Sequence, residues 1–323
     1  MNENQIQEMA SLVQQGDRLA MSKAITLAES KLETHHRYAQ QIISLVEDPE
    51  IHSRRIAVSG IPGAGKSTFI EALGLQLVQN GHKVAVLAID PSSRLTGGSI
   101  LGDKTRMEEL SRSQNAYIRP TATGGNLGGI TQRTYESMVL CEAAGYDIIL
   151  IETVGVGQSE TMVNDITDFF IFLQIAATGD ELQGIKRGIM EMTDLIFLNK
   201  ADALPSELIH ESKMDINRAI QLLPAKMPKW RRPIIIGSAY SGNGIAEVLQ
   251  KVDEYFQTPE IQQQIADKRQ SQRWLRVESY AQEILQHRLQ SFLEEASKKQ
   301  DFLASEDKNP YAYAQQLLKE FLP

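Results

Sequence analysis

The residues with the plainest chemistry lie at 60–68: Gly60, Ile61, Pro62, Gly63, Ala64, Gly65, Lys66, Ser67 and Thr68. They fit the pattern G-x-x-x-x-G-K-[ST], which encloses a phosphate chain. Glycine lets the backbone wrap closely and adopt positive φ. Successive N–H groups then turn inward as an anion nest. A helix expected at 66–79 adds the positive end of its dipole. Lys66 is placed to bridge β- and γ-phosphates, and Ser67 offers a hydroxyl to Mg2+.

A second set reads the base. Asn199, Lys200, Ala201 and Asp202 fit N-K-x-D. A carboxylate at Asp202 accepts from the N1–H and the exocyclic amine of guanine together. Adenine lacks that pair of donors and would leave the carboxylate unpaired, which is costly. The Lys200 stem can lie against the base plane. Ser238 and Ala239, followed by Tyr240, are similar to the loop whose backbone N–H groups reach the base oxygen. GTP or GDP is therefore the expected nucleotide.

Asp90 and Glu152 each end an apolar run, and both are candidate Mg2+ ligands beside Ser67; Asp103 is a third. Mg2+ takes oxygen ligands and keeps several waters. The segment Glu152-Thr153-Val154-Gly155-Val156-Gly157 stands where a phosphate-sensing D-x-x-G switch is usual. The Gly155 N–H can meet a γ-phosphate, so loss of that phosphate would release the segment.

The elements that must position these groups follow from periodicity. Apolar runs at 55–59, 83–90, 116–119, 147–152, 168–175, 194–199 and 233–237 alternate with helical segments, including one at about 130–144. Several runs are apolar throughout, as strands covered on both faces are. The expected fold is α/β: a doubly wound, mostly parallel sheet of P-loop GTPase type with N-terminal and C-terminal helical extensions. The divisions expected are 1–50 helical, 51–257 the nucleotide domain and 258–323 helical. Ile265 to Leu293 repeats at three- and four-residue steps, a long amphipathic helix that either meets another molecule or folds back on its own domain. Asn309-Pro310 is expected to cap a final short helix.

Composition sets the bounds. The chain has 323 residues, 42% apolar and 23% charged, which is ordinary for a globular protein of about two domains. With 33 Lys and Arg against 41 Asp and Glu, the net charge of −8 argues against nucleic acid as a partner. One cysteine, Cys141, excludes a disulfide within the chain, and no CxxC, CxH or HxxxH spacing suggests a transition-metal site. The N-terminus lacks the pattern of a secretory signal and no apolar run is long enough to span a bilayer, so a cytoplasmic protein without membrane contact is expected. Cys141, Trp230 and Trp274 are read as packing residues, adjacent His35 and His36 as solvated. Arg119 is read either as reaching the site or as a surface residue.

Six stretches together resemble the methylmalonyl-CoA mutase-associated GTPase family (ArgK/MeaB type) of the SIMIBI class: 60–68, 90–107, 119–129, 152–160, 179–194 and 199–202. The resemblance implies a GTP-hydrolysing chaperone for an adenosylcobalamin-dependent acyl-CoA mutase, gating cofactor loading, protection and reactivation. It implies that Asp90, Asp103 and Glu152 hold Mg2+ or answer the nucleotide, and that residues 177–187, with Lys186, relay nucleotide state to the mutase. It also implies a homodimer joined through the C-terminal helices. Residues 176–178 read Ala-Ala-Thr where relatives commonly carry Pro-Gly. Lys66 and Glu152 are the charged groups expected to act in catalysis, with Gln158 and Lys186 the candidates to position water; hydrolysis should be slow until a partner orders the switches. A metal-delivery GTPase of the same class and a non-catalytic GTP-binding scaffold are the competing readings.

Overall fold

The computed structural model describes residues 1–30, 32–48, 53–90, 107–122, 127–153, 159–176, 187–224, 226–227, 229–298 and 309–321. They form two compact units, Met1–Lys268 and Arg269–Pro323.

In the first unit three helices come first: α1 (Glu3–Gln14), α2 (Arg18–Ala28) and α3 (Glu33–Val46). Asn2 and Gln5 close a capping box at α1, and the Asp17 carboxylate accepts from the Ala20 N–H at α2. Seven parallel strands follow: β1 (Arg54–Gly60), β2 (Val84–Asp90), β3 (Ala116–Ala122), β4 (Ile148–Glu152), β5 (Phe169–Ile175), β6 (Leu195–Asn199) and β7 (Ile234–Ile236). Between them run α4 (Lys66–Gln79), α5 (Glu108–Arg112), α6 (Leu127–Ala143), α7 (Ser159–Asn164), α8 (Arg187–Met192) and α9 (Ser206–Gln221), with α10 (Ile245–Gln257) after β7.

The sheet order is β3-β2-β4-β1-β5-β6-β7. From β1 the chain passes to β2 and β3 on one side, returns to β4 beside β1, and then crosses to β5, β6 and β7 on the other, and right-handed crossovers of parallel strands put helices on both faces. Side chains alternate between two cores. Ile56, Val58, Phe169, Ile171 and Leu173 enter one with α4 and α10; Ala57, Phe170, Phe172, Ile149 and Ile151 enter the other with α6 and the three N-terminal helices. A third core joins β6 and β7 to α9. The N-terminal helices are therefore half the cover of one sheet face. The doubly wound sheet expected from the sequence is present, and every strand expectation corresponds to a strand.

Three local expectations change in the first unit. Helix α6 starts at Leu127, earlier than 130. His36 is not simply solvated, because its Nε2 lies 3.2 Å from the buried Glu136 carboxylate. Arg119 neither reaches the phosphate loop nor stands free; its guanidinium pairs with Glu29 at the end of α2, tying that helix to β3. Cys141 is buried, and burial pushes its thiol pKa up, so it behaves as a small apolar residue.

Helix α11 (Pro259–Lys298) runs 40 residues without a break and passes from the first unit into the second. In the second unit it is followed by α12 (Pro310–Phe321), whose first turn is held by the Asn309 carboxamide accepting from the Tyr311 N–H at 2.8 Å. The rings of Phe292 and Phe321 sit 5.4 Å apart. Trp274 does not pack as expected. It is 64% exposed, as are Leu275, Val277, Ile284 and Leu285 in large part, and its indole donates to Glu278. No described helix is long and apolar enough to cross a membrane.

The base of β1 is fixed by a forked pair: Arg55 Nε and Nη2 donate to the two Glu142 oxygens at 2.7 and 2.9 Å, with both side chains almost wholly buried. Glu142→Ala should strip the partner from a buried guanidinium and cost about 3–5 kcal/mol in chemical unfolding. Replacing Arg55 and Glu142 together by Met and Leu should recover most of that loss, whereas an unchanged unfolding midpoint in the single variant would show the pair to be idle.

Candidate functional site

Parallel strands bring all their C-terminal ends to one edge of the sheet, so Gly60, Asp90, Glu152 and Asn199 gather there by topology alone. The chain leaves β1 toward β2 on one side and leaves the adjacent β5 toward β6 on the other, and between two such strands these sheets open a ligand crevice.

Gly60 closes β1 against Leu173 of β5, and a Cβ there would meet the Leu173 carbonyl at 2.5 Å. Ile61 and Pro62 begin the turn, Ala64 is buried, and Thr68 is exposed. Gly65 takes φ +87°, and a Cβ on it would come 2.7 Å from the Asn199 amide nitrogen. Glycine is needed at both positions, once for closeness and once for conformation as well. Lys66 opens α4, so the loop leads directly into the positive end of a helix.

The Lys66 ammonium arches back over the loop, donating to the Gly60 carbonyl at 3.0 Å and the Ile61 carbonyl at 3.4 Å. Burial pushes its pKa below the ordinary lysine value, while the carboxylates of Glu152 and Glu160 oppose the shift. A half-buried cation beside the N-terminus of a helix is a place for an anion. Ser67 Oγ donates to Glu152 Oε1 at 3.2 Å, which sets two oxygen donors side by side at the mouth of the loop. Such a pair suits a hard cation such as Mg2+.

Asn199 turns away from the solvent-facing side of its own tetrapeptide. Its Nδ2 donates to the Ala64 carbonyl at 2.7 Å, and its Oδ1 accepts from the Ala239 N–H at 2.8 Å. One buried amide thus fastens the phosphate loop, the end of β6 and the loop after β7. Lys200 is at φ +63°, the one described non-glycine residue in the left-handed region, and both it and Asp202 are exposed. Ala201 N–H donates to the Gly237 carbonyl at 3.0 Å. Ser238 is buried and bridged to Asn243, while Tyr240 is 89% exposed beside them. The structure therefore brings the phosphate-loop residues, Glu152, Asn199, Lys200, Asp202, Ser238, Ala239 and Tyr240 to one sheet edge.

Asp90 ends β2 on that edge, but its side chain lies outside what is described, as do Asp103, Gly155, Gln158 and Lys186 altogether. Two groups were missed by sequence reasoning. The Thr153 hydroxyl donates to the Ser59 hydroxyl at 2.8 Å, joining the ends of β4 and β1 below the loop. Glu160 is a buried carboxylate whose charge Lys66 feels. A polar residue ending an otherwise apolar run was the available signal for Ser59; nothing local in the sequence marked Glu160.

Asn199→Ala should leave the Ala64 carbonyl and the Ala239 N–H without their partner, at about 1–3 kcal/mol each. The expected result is a lower melting temperature and a GDP affinity reduced at least about tenfold; wild-type affinity would show that the three loops hold themselves.

Comparison with known proteins agrees with this geometry. The family model described as methylmalonyl Co-A mutase-associated GTPase MeaB matches residues 21–294. The GTPase ArgK of Escherichia coli is 43% identical over 288 residues, covering 88% of this chain and 87% of its own. The mitochondrial methylmalonic aciduria type A homolog of Mus musculus is 46% identical, over 84% of this chain and 68% of its own. A probable GTPase of Mycobacterium bovis is 47% identical over 79% of this chain and 76% of its own. Among solved structures, one titled LAO/AO transport system kinase superposes with a TM-score of 0.71 at 32% identity, covering 100% of this chain and 99% of its own. The chain belongs to the methylmalonyl-CoA mutase-associated GTPase family, and it is a P-loop GTPase.

Proposed function

We propose that this GTPase uses slow hydrolysis, GTP + H2O → GDP + phosphate, to gate its association with an adenosylcobalamin-dependent acyl-CoA mutase of the methylmalonyl-CoA type, supporting cofactor loading, protection and reactivation. The observation that carries the chemistry is the Asn199 clamp between the phosphate loop and the two base-reading loops. The partner rests on the family's description and on the name of the mouse relative.

Phosphoryl transfer needs positioning and charge stabilisation more than covalent chemistry. The loop N–H groups from Gly60 to Lys66 orient the β- and γ-phosphates, and the Lys66 ammonium moves from backbone carbonyls onto the phosphate oxygens. Ser67 and Glu152, with Asp90 and Asp103 as further oxygen donors, are the residues proposed to hold Mg2+. The ion would neutralise negative charge on the phosphate chain. Gly155 is assigned to γ-phosphate sensing, and Gln158 and Lys186 to water positioning. Asp202 and the Ser238–Tyr240 loop read guanine, with Lys200 along the base. Helices α7 and α8, which follow residues 154–158 and 177–186, pack on one another, so a change at either segment has a direct path to the other. The exposed apolar residues of α11 and α12 support a homodimer built through 258–323, in a cytoplasmic setting without membrane or nucleic-acid partners.

Two experiments test this. Asp202→Asn should shift preference from guanosine toward xanthosine nucleotides by at least about tenfold, since one donor–acceptor pair is reversed; unchanged preference would mean that the base is read elsewhere. The chain should also co-purify with its mutase differently in GDP and in a non-hydrolysable GTP analogue, with the mutase accelerating hydrolysis. Identical complexes and an unstimulated rate would contradict nucleotide-gated chaperoning.

A further inference from the structure

The sheet edge opposite the phosphate loop carries a cluster of buried charge. Asp194 stands just before β6 and is wholly buried. Its Oδ2 accepts from the Lys226 ammonium at 2.6 Å and from the Phe170 N–H at 2.9 Å. Its Oδ1 accepts no hydrogen bond among the described residues. Lys226 also donates to the Met192 carbonyl at 2.6 Å and to Asn164 Oδ1 at 3.4 Å. Those residues end α8 and α7. One cation thus holds the last residues of both short helices, where the helix dipole favours it.

A second cation arrives from α11. The Lys268 ammonium donates at 2.6 Å to the carbonyl of Thr167, three residues past the end of α7. Burial and the nearby Lys226 push its pKa down to about 8, against the pull of Asp194, Asp168 and Asp165. Lys268 therefore has two acceptors: the Thr167 carbonyl it holds, and the open oxygen of Asp194, whose charge it already feels. Ahead of it on α11, Ile261 and Ile265 are buried in the core that α4 and α10 share with β5. Helix α7 runs between this cluster and the phosphate loop. Near its start the buried Glu160 carboxylate acts on the Lys66 ammonium, and at its end Asn164 meets Lys226. Its six residues span only about 9 Å, so a shift at one end is carried to the other.

We propose that Lys226, Asp194 and Lys268 form a joint that couples occupancy of the phosphate loop to the seating of α11 residues 259–268, with Lys268 passing from the Thr167 carbonyl to the open Asp194 oxygen when the loop is filled. Lys66 leaves the Gly60 and Ile61 carbonyls for a phosphate, which changes the charge that Glu160 faces and shifts α7. The Thr167 carbonyl moves with it. A hydrogen bond from an ammonium to a carboxylate is stronger than one to a neutral carbonyl, so the exchange tightens the seat of α11. Lys268 is the two-position element that both sites bias. The joint touches no nucleotide. It gives the bound nucleotide a route to the helix proposed to build the homodimer, and it rests on the reading that Lys66 binds phosphate.

Amide hydrogen exchange in the full chain, with and without saturating GDP, tests this. GDP should slow exchange at least about threefold in residues 159–166 and likewise in 261–268. Lys268→Met removes the moving charge. In that variant 159–166 should still slow, 261–268 should lose its dependence on GDP, and GDP affinity should fall by about the same threefold, because coupling is reciprocal. Lys268→Gln, neutral but still polar, should lose the same dependence, so a poorly folding Met variant leaves the question answerable. A wild-type chain that binds GDP and slows in 159–166 but not in 261–268, or in neither, overturns the proposal while leaving the nucleotide site intact. So does a wild-type dependence on GDP that persists at 261–268 in both variants. A chain that binds no GDP fails the phosphate-loop reading first, and the inference with it.

Discussion

The nucleotide site depends on one side chain held in one orientation. The Asn199 amide is spent entirely on backbone groups, the Ala64 carbonyl on one side and the Ala239 N–H on the other. A short turn between strand and helix has many conformations open to it unless other groups hold it. Two buried hydrogen bonds from one amide convert three independent loops into a single preformed surface. Gly65 makes this possible, since any larger residue would occupy the space of the Asn199 nitrogen.

Charge then decides what the surface receives. The chain is acidic overall, yet the loop mouth carries a half-buried ammonium and a helix N-terminus. Net charge governs long-range behaviour, whereas a phosphate chain is recognised at contact distance, so the two are not in conflict. Glu152 serves both sides of this balance. It accepts from Ser67 and helps keep Lys66 charged against the cost of burial. The last residue of β4 and the one after it both join the site to β1 and its loop, Glu152 accepting from Ser67 and Thr153 donating to Ser59.

Much of this was legible in the sequence, and for identifiable reasons. Strands covered on both faces leave continuous apolar runs, so all seven were visible. The helix expected at 66–79 is α4 residue for residue, since its start is set by the phosphate loop and its end by Asn80-Gly81. What periodicity reports is the buried face of an element, not which residue waits on the other side. Arg119 and Glu29 are 90 positions apart, as His36 and Glu136 are 100 apart, and nothing local announces either pair. Trp274 shows the opposite error: an apolar residue at helical spacing was assigned to packing, and it stands in solvent on α11.

The most direct measurement is calorimetric titration of the full chain with GDP and, separately, with ADP. The clamped loops should take one GDP per chain, with ADP at least about a hundredfold weaker because adenine lacks the pair of donors that the role proposed for Asp202 requires. Equal affinities for the two nucleotides, or no binding of GDP, would contradict the assembly of these loops into a guanine-nucleotide site.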